Sequence, residues 1–316
     1  MAAVTRGVRD ARTESTPVEP DRARTREGMS LMTHASDRSP QQTREHPPGS
    51  RPRVLSIAGT DPTGGAGIQA DLKSFAAHGA YGMAVVTAVV AQNTHGVRAV
   101  HLPPVDVLVG QLEAVSDDVA VDAVKIGMVA SEEYAQEIGL WLDRVQPRWV
   151  VLDPVMVATS GHHLLDPGAE RAVVDLLPRV DLVTPNMAEL AVLVGQETAT
   201  TWSAVLEQAV ELARRASVVV LAKGGHLLGP GSPDALVTPE GVVTEVSAPR
   251  VQTSNVHGTG CSLSSALAAL RPRCDDWESA VREAKTWISG ALEAADALAV
   301  GSGNGPIDHL HAQVPV

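Results

Sequence analysis

Aromatic residues are scarce in this chain, making up 3% of its 316 residues. Basic residues are not in excess either, because 25 Lys and Arg stand against 37 Asp and Glu and give a formal net charge of -12. A nucleic-acid-binding surface usually combines a basic stripe with aromatic side chains that stack on bases. A nucleic-acid-binding function is therefore not expected.

Cysteine and long apolar runs are also rare. The two cysteines, Cys261 and Cys274, would make one disulfide at most, whereas an extracellular scaffold of this size would carry more. No run of ~18 apolar residues is present that could span a bilayer, and no apolar segment near residue 1 resembles a secretion signal. We therefore expect a cytoplasmic enzyme or binding protein with reduced thiols and no membrane partner.

The first 52 residues differ in composition from the rest. They are rich in Arg, Thr, Ser, Pro and Glu and have almost no apolar periodicity. Such a segment buries too little surface to offset its ordering entropy, so we predict a disordered tail over residues 1–52. Met29 and Met32 lie inside it, and a start codon assigned too far upstream would also account for the segment. We predict a single folded domain over residues 53–316.

In that domain, short β-branched runs alternate with amphipathic segments of helical length. The predicted strands are residues 54–57, 83–90, 123–126, 149–152, 182–184 and 218–222. The predicted helices are residues 68–78, 105–115, 131–145, 187–194, 202–214, 261–270 and 277–298, and residues 235–246 predict a hairpin. This alternation is typical of a mostly parallel sheet with helices on both faces, in which ligands bind beyond the carboxyl ends of the strands.

Two of the predicted strands end in segments that suggest a ligand site. The first strand is followed by "AGTDPTGGAG", which lacks the lysine and hydroxyl pair of a P-loop and has no clean dinucleotide fingerprint. Asp71 in the helix that follows is either a solvated acid near the helix N-terminus or an acceptor facing a small polar ligand. Gln92, in "VVAQNTHG", lies either in an ordinary turn or at a heterocycle that its carboxamide can pair with.

The later strands end in charged residues that fit a nucleotide and its metal. Asp153 follows a strand in "VVLDPVM", and Asn186 and Glu189 lie three residues apart in "TPNMAEL". Magnesium needs only one or two carboxylates when phosphate oxygens complete its shell, but Asn186 and Glu189 also form the pattern of a capping box. Lys223, in "AKGGH", places a positive charge where a polyphosphate tail would lie.

The sequence does not determine the roles of two residues in "VKIGMV". Lys125 lies in an otherwise apolar strand, and its spacing does not determine a role. Met128 follows the strand, and a methionine there belongs to the core more often than to a ligand wall.

The segment "VHGTGCSLSSALAAL" combines glycines with the start of a helix. Gly258, Thr259, Gly260 and Cys261 would present backbone N–H groups at a helix N-terminus, where the dipole favours an anion. A thiol in such a position is expected to have a lowered pKa. The alternative is an inert cysteine that fills a small gap in the core.

Together these segments resemble the hydroxymethylpyrimidine/phosphomethylpyrimidine kinases of thiamine biosynthesis, a branch of the ribokinase-like superfamily. The matching stretches "AGTDPTGGAGIQADLK", "VVAQNTHGV", "KIGM", "VVLDPVM", "TPNMAEL", "AKGGH", "HGTGCSLSSALAA" and "EAKTWISGAL" run in order through almost the whole folded part. The resemblance implies a ribokinase-like three-layer α/β/α fold with a mostly parallel central sheet. Sugar kinases of the superfamily commonly carry an aspartate base where this chain has Cys261.

The resemblance also implies a role for each candidate residue. Gln92 would bind the aminopyrimidine, in a pocket lined by Gly59, Asp71 and Met128, while the nucleotide and its Mg²⁺ would be bound by Asn186, Lys223, Asp153 and Glu189. The anion hole would be Gly258 to Gly260, with Cys261 in the position of the base. One departure is Val256, where the family often has threonine, so that a hydroxyl is missing here.

The implied reaction is two successive transfers from ATP, first to the hydroxymethyl group and then to the resulting monophosphate. The implied assembly is a homodimer. A hypothesis explains the cysteine: a mostly neutral thiol, unlike a carboxylate, would not repel the phosphate that is the nucleophile of the second transfer. The alternatives are a pyridoxal or pyridoxine kinase of the same fold and a catalytically silent ligand-binding relative.

Overall fold

A computed structural model of the chain describes residues 49–156 and 167–313, with side chains resuming at residue 170. All but the last four residues of the predicted tail, 1–52, lie outside the described residues. The first strand begins at Arg53, where the sequence predicts the folded domain to begin. No described helix is both long and apolar enough to cross a membrane.

The strands form one nine-stranded sheet with the order β3-β2-β1-β4-β5-β6-β7-β8-β9. They are β1 (Arg53–Gly59), β2 (Tyr81–Asn93), β3 (Gly96–His101), β4 (Ala123–Ile126), β5 (Trp149–Leu152), β6 (Leu182–Val183), β7 (Val219–Lys223), β8 (Gly231–Val237) and β9 (Val243–Pro249). Six strands, β2, β1 and β4 to β7, pair in parallel, whereas β3, β8 and β9 pair antiparallel. The predicted mostly parallel sheet is confirmed.

Helices cover both faces of this sheet. They are α1 (Gly67–Ala77), α2 (Val105–Ser116), α3 (Glu132–Val145), α4 (Pro167–Leu176), α5 (Met187–Val194), α6 (Trp202–Ala216), α7 (Thr259–Leu270) and α8 (Trp277–Glu293). One buried cluster includes residues of α1, α7 and α8, and a second cluster includes residues of the other helices. The predicted three-layer α/β/α arrangement is therefore confirmed.

Helix α7 lies close against the sheet because its residues are small. Its sequence is TGCSLSSALAAL, and all residues from Ser262 to Leu270 are buried. It packs on β4 and β5 and on α1. Small side chains permit this close approach, because they fill little of the space between helix and strand backbones. The close packing holds the helix N-terminus beside the carboxyl ends of the parallel strands.

The structure corrects several predicted boundaries in the first and last thirds of the chain. Strand β2 runs to Asn93 and turns through Thr94 and His95 into the antiparallel strand β3, so Gln92 lies in the strand and not in the turn, and its contact with a heterocycle stays a prediction. Strand β3 was not predicted, because most of its residues are exposed and show no buried-strand pattern. The predicted hairpin at 235–246 is present, but its strands extend to residues 231 and 249.

Two helical predictions also need correction, and one helix was missed. Helix α7 begins at Thr259 and not at Cys261, because Gly258 at φ 77° is its N-cap. Helix α8 ends at Glu293, and residues 295–298 form a separate 3-10 helix. Helix α4 was not predicted.

Candidate active site

The candidate residues gather along one edge of the sheet, where the parallel strands end. Gly59 is the last residue of β1, Met128 follows β4 and Asp153 follows β5 directly. Asn186 follows β6 as the N-cap of α5, and Lys223 is the last residue of β7. These strands are adjacent in the sheet, so their carboxyl ends form one continuous edge, where open α/β sheets bind their ligands.

An ion pair between Asp153 and Lys223 lies at the middle of this edge. Lys223 Nζ is 3.0 Å from Asp153 Oδ1, and the hydroxyl of Thr184 donates to the same oxygen at 3.1 Å. Burial raises the pKa of Asp153, but Lys223 and Lys125 outweigh burial and the net pKa is lowered. Lys223 stays protonated, since the nearby carboxylates raise its pKa against the effect of burial. The edge thus carries a fixed ion pair, in which the Asp153 carboxylate balances the ammonium group of Lys223.

The first turn of α7 faces this ion pair. A Cβ atom added to Gly260 would lie 3.4 Å from Lys223 Nζ and 3.8 Å from Asp153 Oδ2. The first N–H groups of a helix have no carbonyl partner within the helix, so they can donate to an anion. Lys223 and the start of α7 can therefore act together on one negatively charged group.

The turn that precedes α7 depends on Gly258. Its φ is 77°, in the left-handed region, and a Cβ atom there would lie 1.7 Å from the carbonyl oxygen of Gly65. No residue with a side chain fits at this position. The hydroxyl of Thr259 donates to the Val256 carbonyl at 2.7 Å and closes the turn.

Val256, the departure from the family pattern, does not disrupt the turn. Its side chain is exposed, and its backbone N–H donates to Asn304 Oδ1 at 3.2 Å. The backbone and Asn304 hold this position without a hydroxyl at residue 256.

Cys261 is not activated in the way that the sequence predicts. Burial by the surrounding protein raises the pKa of its thiol to about 11. The positive charge of Lys125 and the Gly67 N–H lower this pKa, but the carboxylates of Asp153 and Asp71 raise it. The expected lowering of the pKa is therefore wrong, because burial outweighs the effects that favour the thiolate. At neutral pH Cys261 is an uncharged thiol.

Asp71 and Lys125 form a fully buried ion pair beneath Cys261. Lys125 Nζ lies 2.8 and 2.9 Å from the two carboxylate oxygens of Asp71. The hydroxyls of Ser56 and Ser265 donate to the same carboxylate at 2.5 and 2.7 Å. The solvated-acid alternative for Asp71 is wrong, because its side chain has no exposed surface. Its place in the wall of a substrate pocket stays a prediction, while Lys125 now has a role as its counter-ion.

Asn186 and Glu189 form the capping box that was one of the two alternatives. Asn186 Oδ1 accepts from the Glu189 N–H at 2.9 Å, and Glu189 Oε2 accepts from the Asn186 N–H at 2.8 Å. Glu189 is also buried, and burial raises its pKa to about 7 although Lys223 lowers it. The negative charge of Asp153 adds to the rise, so the two carboxylates lie close enough to interact. Glu189 can therefore form the capping box and still lie close to Asp153 at the edge of the sheet.

Asp153 and Glu189 fit a magnesium ion that arrives with a nucleotide. They provide two neighbouring carboxylates, the hard oxygen ligands that Mg²⁺ prefers, and phosphate oxygens and waters would supply the remainder. Among residues 49–156 and 167–313, no group of three or more His, Cys, Asp and Glu could hold a metal by itself.

The predicted substrate residues lie at the β1 and β2 end of the same edge. A Cβ atom at Gly59 would be 3.3 Å from the sulfur of Met128, so these two positions are in contact. Met128 is largely buried and its carbonyl accepts from the Thr87 hydroxyl at 2.6 Å. Gln92 is partly exposed near the end of β2, close enough to Asp61 to help lower the pKa of that carboxylate. The structure brings Gly59 and Met128 together and places Gln92 in the neighbouring strand β2, and the contact of these residues with a substrate stays a prediction.

Asp61, which organises the glycine loop, was not predicted as a site residue. This buried carboxylate accepts from the Thr63 N–H and hydroxyl at 2.9 and 2.7 Å, and from the N–H groups of Gly65 and Ala66 at 3.1 and 2.8 Å. His257 Nε2 is a further partner at 2.8 Å. An aspartate followed by Pro, Thr and Gly is typical of a side chain that bonds to the backbone of its own turn, and this signal was available.

A second missed feature supports the residue after Lys223. Lys285 Nζ on α8 lies 2.6 Å from Asp234 Oδ2 on β8, and both side chains are largely buried. The other oxygen of Asp234 accepts from the Gly224 N–H at 3.2 Å. The matching segment "EAKTWISGAL" contains Lys285, but only the fold reveals its partner.

Comparison with known proteins places the chain in a family. A family model described as phosphomethylpyrimidine kinase matches residues 61–308. The hydroxymethylpyrimidine/phosphomethylpyrimidine kinase of Escherichia coli is 51% identical over 263 residues, covering 83% of this chain and 98% of that protein. The thiamine biosynthesis multifunctional protein ThiED of Corynebacterium efficiens is 54% identical over 262 residues, but this chain spans only 35% of its length.

Solved structures agree with this assignment. An ADP complex of Bacillus subtilis pyridoxal kinase superposes with a TM-score of 0.77 at 30% identity, covering 84% of this chain and 100% of that one. The phosphomethylpyrimidine kinase of Clostridium difficile gives 0.68 at 37% identity and covers 77% of this chain and 100% of that one. The predicted ribokinase-like fold and kinase assignment are confirmed, and the chain belongs to the phosphomethylpyrimidine kinase family.

Proposed function

We propose that this enzyme transfers phosphoryl groups from ATP to 4-amino-5-hydroxymethyl-2-methylpyrimidine and then to its monophosphate, in thiamine biosynthesis. The family match and the 51% identity to the Escherichia coli kinase support this substrate. The observation that carries the proposal is the first turn of α7, where Gly260 faces the Asp153–Lys223 pair. That arrangement suits a phosphoryl group between two substrates.

In this proposal the nucleotide phosphates lie between Lys223 and the start of α7. Lys223 and the N–H groups from Gly258 to Gly260 stabilise the charge on the transferred group, and Asn186 contacts the nucleotide. Asp153 and Glu189 would hold Mg²⁺, which would neutralise charge on the phosphates. Positioning and charge stabilisation contribute most in phosphoryl transfer, because its transition state is loose.

The neutral thiol of Cys261 suits both transfers. With a loose transition state, the hydroxymethyl oxygen needs little help from a strong base in the first transfer. In the second transfer the nucleophile is a phosphate oxygen that already carries negative charge. A thiol with a pKa of about 11 adds no negative charge beside that phosphate, in line with the hypothesis drawn from the sequence.

The pyrimidine itself would bind at the β1 and β2 end of the edge. Gln92 would pair with the aminopyrimidine ring through its carboxamide, with Gly59 and Met128 in the pocket wall. The buried carboxylate of Asp71 would lie below the ring. Binding there would place the hydroxymethyl group towards Cys261 and α7.

A pyridoxal kinase is the second candidate function, because the Bacillus subtilis structure that superposes well is a pyridoxal kinase. The higher identity to pyrimidine kinases favours the first candidate. Incubation with ATP and the free pyrimidine alcohol, followed by phosphorus NMR, tests the proposal. Monophosphate followed by diphosphate is the expected result. Turnover of pyridoxal alone would establish the second candidate, and tight pyrimidine binding with zero turnover would indicate a silent binding protein.

A homodimer in the cytoplasm is the proposed assembly and location. Val89 on β2 and Val100 on the edge strand β3 are exposed apolar residues at one end of the sheet. Association through this end would cover them. Light scattering during size-exclusion chromatography gives the mass directly, and a monomeric mass would contradict the dimer.

A further inference from the structure

The bond between His257 and Asp61 joins two segments with different tasks in the proposed reaction. Asp61 belongs to the glycine loop next to Gln92, and His257 directly precedes the anion-hole turn. The ring nitrogen Nε2 of His257 lies 2.8 Å from Asp61 Oδ2. Burial raises the pKa of Asp61, but the hydrogen bonds from His257 and Thr63 hold this pKa well below its usual range. Because the carboxylate is ionised, Nε2 of His257 is the donor in this bond.

The two segments are also packed backbone against backbone. A Cβ atom at Gly65 would lie 2.6 Å from Cδ2 of the His257 ring, and one at Gly258 would lie 1.7 Å from the Gly65 carbonyl oxygen. The two segments are therefore in direct contact. On its far side, the His257 N–H donates to the Gly305 carbonyl at 3.0 Å, so that the histidine is fixed at its backbone as well.

Strand β2, which carries Gln92, completes a continuous chain of contacts across the edge of the sheet. Its Val90 N–H donates to the hydroxyl of Thr60 at 2.9 Å, Thr60 directly precedes Asp61, and Asp61 bonds to His257, which is followed by the N-cap of α7. One end of this chain of contacts carries Gln92, which is proposed to bind the pyrimidine ring, and the other end is the proposed anion hole.

We propose that His257 is a positioning residue that, through its bond to Asp61, links occupancy of the pyrimidine site to the placement of the anion-hole amides. The inference rests on the proposed function and adds to it a residue for which sequence reasoning gave no role. His257 touches neither substrate in this account. It acts by holding the turn at Gly258 in register with the loop that carries Asp61.

Loss of this bond is expected to affect the chemical step more than binding of the pyrimidine. His257→Leu fills similar space and has no donor, so it should lower kcat roughly ten- to a hundredfold, the ratio that a hydrogen bond to a charged group corresponds to. KM for the pyrimidine should change by less than about threefold, because the loop keeps its four other bonds to Asp61.

The conservative variant His257→Gln separates positioning from mere packing. The glutamine amide nitrogen can occupy nearly the position of Nε2 and restore a donor to Asp61, so it should recover most of the lost kcat. His95→Leu is the matched control, since His95 also bonds through Nε2, to Ser302 at 2.9 Å, but does not touch Asp61. It should keep wild-type kcat.

Linkage between the two substrates gives a readout independent of turnover. Isothermal titration of a non-hydrolysable ATP analogue, with and without saturating pyrimidine, measures how much one ligand changes the affinity for the other. We expect the wild type and His257→Gln to show this coupling and His257→Leu to lose it. A wild-type kcat in His257→Leu, equal kcat values in the Leu and Gln variants, or unchanged coupling would overturn the inference.

A wrong substrate assignment would give a different result from a wrong role for His257. If the wild type turns over pyridoxal and not the pyrimidine, the substrate assignment fails. The comparison of kcat among the same variants is then made with pyridoxal and still decides the role of His257.

Discussion

Replacement of Cys261 by aspartate tests why a thiol stands beside the anion hole. The structure surrounds this position with Lys125, Asp71 and Asp153, and the thiol is uncharged at neutral pH because burial raises its pKa to about 11. Cys261→Asp introduces a negative charge beside the transferred group. In the first transfer the nucleophile is a neutral alcohol, whereas in the second it is a phosphate. The added charge should therefore slow the second transfer more.

The size of the effect follows from Coulomb's law. Two like charges at ~4 Å repel by about 4 kcal/mol when the effective dielectric constant is about 20. Lys125 and the bound metal would offset part of this repulsion, and burial would keep a fraction of the aspartate protonated. We therefore expect the ratio of second to first rate to fall at least about tenfold, which corresponds to ~1.4 kcal/mol.

Rapid-quench assays with labelled ATP measure both transfers separately, starting from the alcohol or from the monophosphate. Cys261→Asn is the matched control, since it has the shape of aspartate without the charge, and it should leave the ratio of the two rates unchanged. A second transfer in Cys261→Asp as fast as in the wild type would refute the repulsion argument. Equal ratios in the Asp and Asn variants would refute it as well.

Two predictions concern stability. Lys285→Met leaves the buried Asp234 carboxylate without its counter-ion and should lower the free energy of unfolding in urea by roughly 3–5 kcal/mol; the exposed Arg282→Met should lower it by less than about 1 kcal/mol, and equal losses would contradict this account. His309 has a pKa lowered to about 3 by burial and by the charge of Lys73, below its ordinary value of 6.5. The unfolded chain thus binds a proton that the folded protein excludes, so the contribution of His309 to stability is present above pH 6.5 and is lost as the pH falls towards 3, by up to about 1.4 kcal/mol per pH unit. Urea titrations at several pH values give the free energy of unfolding as a function of pH. This free energy should change less steeply with pH in His309→Gln than in the wild type, and an unchanged pH dependence would contradict the assignment.

Much of the fold was predictable because its buried strands are short and apolar. The strands β4 and β5 were predicted with their observed bounds, since both are almost wholly buried between two helical layers. Strand β3 was not predicted because it lies at the edge of the sheet. Most of its residues are exposed, so its sequence has no apolar pattern. The start of α7 was placed two residues late, since a cap formed by Gly258 in the left-handed region has no side-chain signature.

The candidate site was predictable where a residue directly follows a strand. The sequence predicts that Asp153 and Lys223 lie at the same edge of the sheet. It does not predict that they form an ion pair, which the structure shows at 3.0 Å. The pKa of Cys261 was predicted in the wrong direction, because the helix position was visible in the sequence and the burial was not. Asp61 and His257 are 196 positions apart, a contact that only the tertiary fold creates.

The central claim is that the first turn of α7 binds the phosphoryl group during its transfer, beside the uncharged thiol of Cys261. A crystal structure with a non-hydrolysable ATP analogue and the pyrimidine alcohol tests it most directly. The terminal phosphate oxygens should accept hydrogen bonds of about 2.7–3.2 Å from the N–H groups of Gly258 to Gly260, with Lys223 in contact. A terminal phosphate away from this turn, or on the opposite side of Lys223 from Cys261, would contradict it.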